Sequence, residues 1–161
     1  MKQLILKINN IEEIQQLAYD ITNLSTPSTV IALNGDLGAG KTTFTKGIGR
    51  ALNIKRTINS PTFTIMKVYD AENKINGIDK LYHLDVYRLE DSSSDFELEE
   101  YFYQKGLTVI EWACIIEDIL PSNTWKIDIY RIDDTTRKIV LSNFPQNIVE
   151  KLGENYEVIF G

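Results

Sequence analysis

A short apolar run that empties into a glycine-rich turn and then a lysine leaves this chain few ways to fold. The run is Val30-Ile31-Ala32-Leu33, and the turn is Gly35-Asp36-Leu37-Gly38-Ala39-Gly40-Lys41-Thr42. Four apolar, largely β-branched residues without polar alternation suit a strand buried on both faces of a parallel sheet. From Lys41 to about Leu52, Phe44, Ile48, Ala51 and Leu52 share one helical face. Strand, tight turn and helix in that order open an α/β unit. Gly47 and Gly49 inside the helix each cost about 1 kcal/mol against alanine, a cost that close approach to another element, such as the sheet, offsets.

The turn has a chemistry of its own. It matches G-x-x-x-x-G-K-[ST] at every fixed position. Glycines at 35, 38 and 40 allow positive φ and leave room for oxygens against the backbone. Successive amide N–H groups then form an anion nest, and the helix start adds about half a positive charge. Lys41 suits the β- and γ-phosphates of a nucleotide, and the Thr42 hydroxyl suits one magnesium position. At ordinary glycine usage a chance match in such a chain is on the order of one in a hundred. The turn therefore implies binding of a nucleoside triphosphate with magnesium.

Around this unit the pattern alternates. The amino-terminal residues to Lys7 read as a strand, and Asn10-Ile11-Glu12-Glu13 has the form of a capping box. Ile11, Ile14, Leu17, Ala18, Ile21 and Leu24 then recur at helical spacing, and the segment Ser25–Thr29, with Pro27, stops the helix. Thr64–Asp70 and Leu81–Leu89 read as strands about a polar turn over Asn73–Lys80. Ser94-Asp95-Phe96-Glu97 caps a helix through Tyr103, ended by Gly106, and Leu107–Ile110 is another buried strand. Residues 113–120 look helical up to Pro121. Trp125–Ile132 and Lys138–Leu141 flank Asp133-Asp134-Thr135-Thr136 as a hairpin. The expected fold is α/β: a P-loop NTPase-like three-layer sandwich, its central sheet mostly parallel, with antiparallel hairpin additions at one edge. With 161 residues, no repeat and no linker, one domain over 1–161 is expected.

Charge and cysteine content narrow the setting. Twenty-three acidic residues against 17 basic give a net charge of −6. Autonomous grip on nucleic acid comes largely from basic residues neutralising phosphates, so any role on RNA calls for a partner that supplies positive charge. The single cysteine, Cys114, cannot form an internal disulfide, which suits a reducing compartment. The amino terminus meets charge too early for a secretion signal, and no apolar run approaches the ~20 residues that span a bilayer. A cytoplasmic protein with no membrane association is expected.

Chemistry at the phosphates needs a metal carboxylate and a group that orients the nucleophile. Asp85 follows Leu81-Tyr82-His83-Leu84 on a strand, as a Walker B carboxylate would, and Glu111 closes the strand Val109-Ile110. Both would face the crevice beyond the carboxyl ends of the strands; the alternative is that each is simply solvated. Thr62, in Ser60-Pro61-Thr62-Phe63, stands where a switch threonine could approach magnesium or the γ-phosphate, or where a structural turn surrounds Pro61. His83 alone reads as a packed strand residue, and Cys114 as a packed helical one. A G protein would carry D-x-x-G, whereas Asp85-Val86-Tyr87-Arg88 ends in arginine. The five arginines do not cluster into the lid of a small-molecule kinase.

Four blocks, in order and spacing, resemble the TsaE (YjeE) family: Gly35 to Phe44, Ser60-Pro61-Thr62-Phe63-Thr64, Tyr82-His83-Leu84-Asp85-Val86-Tyr87-Arg88-Leu89 and Ile110-Glu111-Trp112. Leu120-Pro121 also matches, so the resemblance covers about residues 30 to 121. The chain departs from it at Trp112-Ala113-Cys114, where relatives often have Trp-Pro-Glu or Trp-Ala-Glu, and at Glu97, where glycine is usual. The resemblance implies a bacterial ATPase needed for threonylcarbamoyladenosine in tRNA, with ATP and magnesium as cofactors. It implies TsaD and TsaB as protein partners, and tRNA only indirectly through them. It implies a nucleotide-binding set of Asp36, Leu37, Gly38, Ala39, Gly40, Lys41, Thr42, Thr43 and Trp112. Glu111, Lys41 and Thr62 would serve catalysis, and Thr42, Asp85 and Glu111 would serve magnesium. A small-metabolite kinase and a non-catalytic nucleotide-dependent switch are the alternatives.

Overall fold

The computed structural model describes residues 3–35, 38–58, 66–85, 106–113 and 118–159. Its elements run β1 (Leu4–Ile8), α1 (Ile11–Leu24), β2 (Val30–Gly35), α2 (Lys41–Ala51), β3 (Met66–Asp70) and β4 (Lys80–Asp85). After these come β5 (Gly106–Glu111), β6 (Trp125–Arg131), β7 (Arg137–Ser142), α3 (Gln146–Asn155) and β8 (Glu157–Val158). The described strands form one sheet in the order β3-β4-β5-β2-β6-β7-β1-β8.

Four neighbouring strands, β4, β5, β2 and β6, are parallel. The sheet as a whole is mixed, which corrects the expectation of a mostly parallel one. Its antiparallel additions also stand at both edges: β3 on β4 at one side, and β7, β1 and β8 at the other. The burial patterns follow position. Every residue of β5 is buried, as is the apolar run of β2, because both strands are covered on both faces. Strand β1 alternates buried and half-buried, as a strand near an edge does.

Helices α1, α2 and α3 contribute to one core cluster, in which Leu17, Ile21, Phe44, Ile48 and Leu152 meet Leu6, Ile31, Leu33 and Val109 of the sheet. Burying each such side chain contributes roughly 1.5–3 kcal/mol. The opposite face carries a second, smaller cluster built on Val30, Ala32, Tyr82, Leu84 and Ile110. Helix α1 begins as its sequence predicts: the Asn10 side chain accepts from the Glu13 N–H at 2.9 Å. The returning bond goes to the Asn9 N–H, one residue before the cap.

The polar turn before β4 has a structural task. Asn73 donates to the carbonyls of Ala51 and Leu52 at the end of α2, and Asn76 donates to those of Asn23 and Ser25 at the end of α1. Helix ends leave carbonyls without intrahelical partners, and this one turn satisfies some in both helices. Asn76 adopts φ 53° to do so. At the far end of the chain, the Tyr156 hydroxyl donates to Asp20 at 2.5 Å. Burial first, and that carboxylate second, hold the phenol well above its ordinary pKa.

Other expectations change. The helix anticipated over 94–103, residues 64–65 and 86–89 of two anticipated strands, and Cys114 lie outside the described residues. Of the helix anticipated over 113–120, the described residues 113 and 118–119 form 3-10 turns. Pro121 disfavours α geometry at the residue before it. The hairpin forms with the expected turn, where Asp133 accepts from the N–H groups of Thr135 and Thr136. These bonds hold its carboxyl below the usual range. Helix α3 and strand β8 carry no expectation from the sequence.

The two glycines of α2 accommodate neighbours other than the sheet. A Cβ at Gly47 would lie 2.6 Å from the Gln15 carbonyl oxygen and 2.8 Å from the Ala18 Cβ, both on α1. A Cβ at Gly49 would meet Ile58 at 2.2 Å. Alanine gains about 1 kcal/mol over glycine in a helix interior, whereas overpacking costs about 1–3 kcal/mol. Because one obstacle at position 47 is backbone, the steric cost prevails. Gly47→Ala is expected to lower the urea unfolding midpoint; an unchanged or raised midpoint would show that α1 and α2 can separate at no cost.

Candidate functional site

A cleft of about 310 Å³ opens where the parallel strands end. Gly38, Gly40, Lys41, Thr42 and Thr43 line one side of it, and Asp85, Glu111 and Trp112 line the other. Register brings these walls together. On β5, Glu111 pairs with Asp85 of β4 on one side and with Leu33 of β2 on the other. Two residues after Leu33 comes Gly35, where the turn begins. It has no room for a side chain, since a Cβ would sit 2.9 Å from the Ile129 carbonyl oxygen on β6.

The turn itself is held by backbone conformation. Gly38 and Gly40 take φ of 82° and 118°, in the region that L side chains rarely adopt. Gly40 is the N-cap of α2, and its carbonyl accepts the helix's first bond from the Phe44 N–H at 2.9 Å. The amino end of α2, with its partial positive charge, therefore forms a wall of the cleft. Ala39, expected among the binding residues, turns its methyl into the core at 2% exposure, so only its backbone is available to a ligand. Asp36, Leu37 and Thr62 lie outside the described residues.

Lys41 is 7% exposed. Its ammonium donates to the Gly35 carbonyl and stands 4.0 Å from the centre of the Trp112 ring. Such a cation–π contact contributes about 0.5–2 kcal/mol according to its desolvation. Trp112 reaches this position through φ 60°, and its backbone N–H donates to the Leu33 carbonyl at 3.2 Å. The left-handed turn directly after β5 thus brings the indole over the lysine. Glu111 is 2% exposed yet borders the cleft, and its carboxylate is hydrogen-bonded to the fully buried His83 on β4. His83 is accordingly a partner of a cleft carboxylate, which the sequence reading, taking it as a packed strand residue, missed. The available signal was that 83 and 85 share one face of the strand.

Arg137 was missed as well. From β7 its guanidinium donates through Nε to the Ala39 carbonyl at 2.8 Å and through Nη1 to the carbonyls of Asp133 and Thr136. One side chain thereby fastens the hairpin to the glycine turn. Its acceptors are backbone, which leaves no residue-type signal to read. No described helix is long and apolar enough to cross a membrane.

In chemical terms the cleft combines an anion-attracting helix start, one buried ammonium, a threonine hydroxyl and two carboxylates. Hydroxyl and carboxylate oxygens are the donors magnesium takes alongside nucleotide phosphates, so Thr42, Asp85 and Glu111 fit such an ion. Removing the Arg137 bond should loosen the turn without dismantling the sheet. In Arg137→Ala, amide hydrogen exchange is expected to accelerate at Gly38, Ala39 and Gly40 relative to β2 and β5. Equal protection in both proteins would show that the guanidinium does not restrain the turn.

The chain is similar to known proteins over most of its length. Residues 8–139 match the family described as Threonylcarbamoyl adenosine biosynthesis protein TsaE. Two relatives carry the name tRNA threonylcarbamoyladenosine biosynthesis protein TsaE. The one from Bacillus subtilis (strain 168) is 43% identical over 159 residues, spanning 99% of this chain and 92% of that protein. The one from Aquifex aeolicus (strain VF5) is 38% identical over 141 residues, spanning 81% of this chain and 97% of that protein. A crystal structure of Bacillus subtilis YdiB superposes with a TM-score of 0.76 at 38% identity, covering 95% of each chain. The chain belongs to the TsaE family.

Proposed function

We propose, from membership of this family and the geometry of the cleft, that the chain is a magnesium-dependent ATPase subunit of the machinery that makes N6-threonylcarbamoyladenosine in tRNA. Its task is to support turnover of a TsaD–TsaB transferase complex. The observation that carries the reading is the meeting of Lys41, Thr42, Asp85 and Glu111 in one cleft. The family supplies adenine and the partners; the cleft supplies the phosphate chemistry.

In this reading the turn from Asp36 to Gly40 and the first helical residues Lys41, Thr42 and Thr43 hold the phosphates, with Trp112 beside them. Thr42 and Asp85, with help from Glu111, would hold magnesium, which would supply positive charge to the phosphates. Lys41 neutralises further charge as the bond to the leaving β-phosphate oxygen breaks. Glu111 orients the attacking water and receives its proton, and Thr62 serves as a switch threonine toward magnesium or the γ-phosphate. The products are ADP and phosphate.

The acidic composition, −6 overall, supports contact with tRNA through the partners and not directly. A cytoplasmic setting without membrane association follows from the same reading. The fold that goes with it is a single P-loop NTPase-like domain over 1–161, a three-layer sandwich with both apolar faces of the sheet covered.

Thermal melting with ATP and magnesium tests the binding step. At a hundred times the dissociation constant a ligand adds about 2.7 kcal/mol, or roughly 5–10 °C in a chain of this size. Lys41→Ala is expected to remove most of that shift, and hydrolysis by the wild type is expected to rise when the transferase pair is added. No shift in the folded wild type, or labelled phosphate passing to an organic acceptor instead of water, would overturn the reading.

A further inference from the structure

His83 is a buried polar group that this mechanism does not employ. Its imidazole is fully buried, one nitrogen is bonded to Glu111, and the other, Nδ1, has no hydrogen-bond partner among the described residues. A buried polar atom left without a partner carries a desolvation cost. A residue there only for packing would avoid that cost by being apolar, as the neighbouring Leu81 and Val109 are. Something at the bonded nitrogen must offset it.

Register supplies the reason. His83 pairs with Val109, and Asp85 pairs with Glu111, on adjacent parallel strands. Residues two apart on a strand share a face, so the imidazole lies one pleat behind the two carboxylates on the cleft side of the sheet. Because an ionised carboxylate only accepts, the Nε2–H donates to Oε2 of Glu111. With that oxygen fastened, rotation of the carboxylate about its Cγ–Cδ bond stops, and the direction of Oε1 is set. Without the bond Oε2 would lose the partner that ties it to β4, and the direction of the carboxylate would be set less tightly. We propose that His83 is a positioning residue that fixes the orientation of the Glu111 carboxylate in the cleft.

This inference rests on the ATPase reading for its kinetic consequence, whereas the contact can be tested independently. Three variants separate its parts. His83→Leu fills the space without a donor. His83→Gln places an amide nitrogen near the position of Nε2, and His83→Asn places one near Nδ1. Loss of a partner that orients a reacting group typically costs about tenfold to a hundredfold. The leucine variant is therefore expected to lose kcat by that factor, with KM for magnesium-ATP and calorimetric Kd little changed. The glutamine variant should recover most of the loss and the asparagine variant should not. In a Glu111→Gln background, His83→Leu should cause no further fall.

Urea unfolding of the His83→Leu and Glu111→Met single and double variants, in which methionine offers no acceptor oxygen, checks the contact without nucleotide. The expected coupling is about tenfold in the unfolding constant. Additive effects would overturn the proposal whatever the activity. So would a folded leucine or asparagine variant with wild-type kcat, or a glutamine variant as slow as leucine at equal stability. A wild type that neither binds nor hydrolyses ATP would instead overturn the ATPase reading, leaving the unfolding cycle to decide the role of His83. If His83→Leu does not fold, the glutamine and asparagine pair alone decides.

Discussion

Parallel pairing at the centre of the sheet is the constraint on which the cleft depends. Because β4, β5 and β2 run the same way and are paired in a fixed register, Asp85, Glu111 and Leu33 finish side by side. The glycine turn leaves β2 two residues later and returns as α2 over the same edge. A one-residue slip of β4 or β5 would reverse the facing of its side chains and carry a carboxylate to the wrong side. The apolar burial of β2 and β5 resists such a slip, so the same side chains that supply stability also supply alignment.

The site accepts buried polarity that a core elsewhere would exclude. Lys41, His83 and Glu111 are all buried, and an ionised group out of water is costly unless it is paired. Here the lysine meets a carbonyl and an indole face, and the glutamate meets an imidazole. Each partner comes from a different element: β2, the turn after β5, and β4. The polar groups therefore also report on whether those elements are correctly assembled, since an error in any one removes a partner from a buried polar group.

What could be read from the chain divides along the range of the interactions. The glycine turn is a local device: its residue types and spacing are dictated within eight positions, so the left-handed backbone at Gly38 and Gly40 and the flanking strand and helix were legible. Gly35, by contrast, serves close approach to β6 and not positive φ. The cap at Asn10 and the hairpin turn at Asp133 were legible for the same reason. Position at a strand end singled out Asp85 and Glu111. The bond between His83 and Glu111 was not legible, because it joins residues 28 apart through a register that no residue type announces. Arg137 reaches a backbone carbonyl 98 residues away, and a carbonyl is present at every position. Gly47 was correctly read as a place of close approach, but the neighbour proved to be α1, since spacing reveals a face and not what covers it. The antiparallel strands other than β8 were anticipated, but at one edge; their division between both margins escaped because sheet order depends on pairings between distant segments. The short β8 is too brief to carry a periodicity.

The turn through Asn73 and Asn76 has a mechanical meaning. By grasping the trailing ends of two helices at once, it makes them a single lever arm, already locked along its length where Gly47 meets Gln15. A push on the leading end of α2, from whatever the glycine turn holds, would then be transmitted as a tilt of the whole pair instead of a slide of one helix past the other.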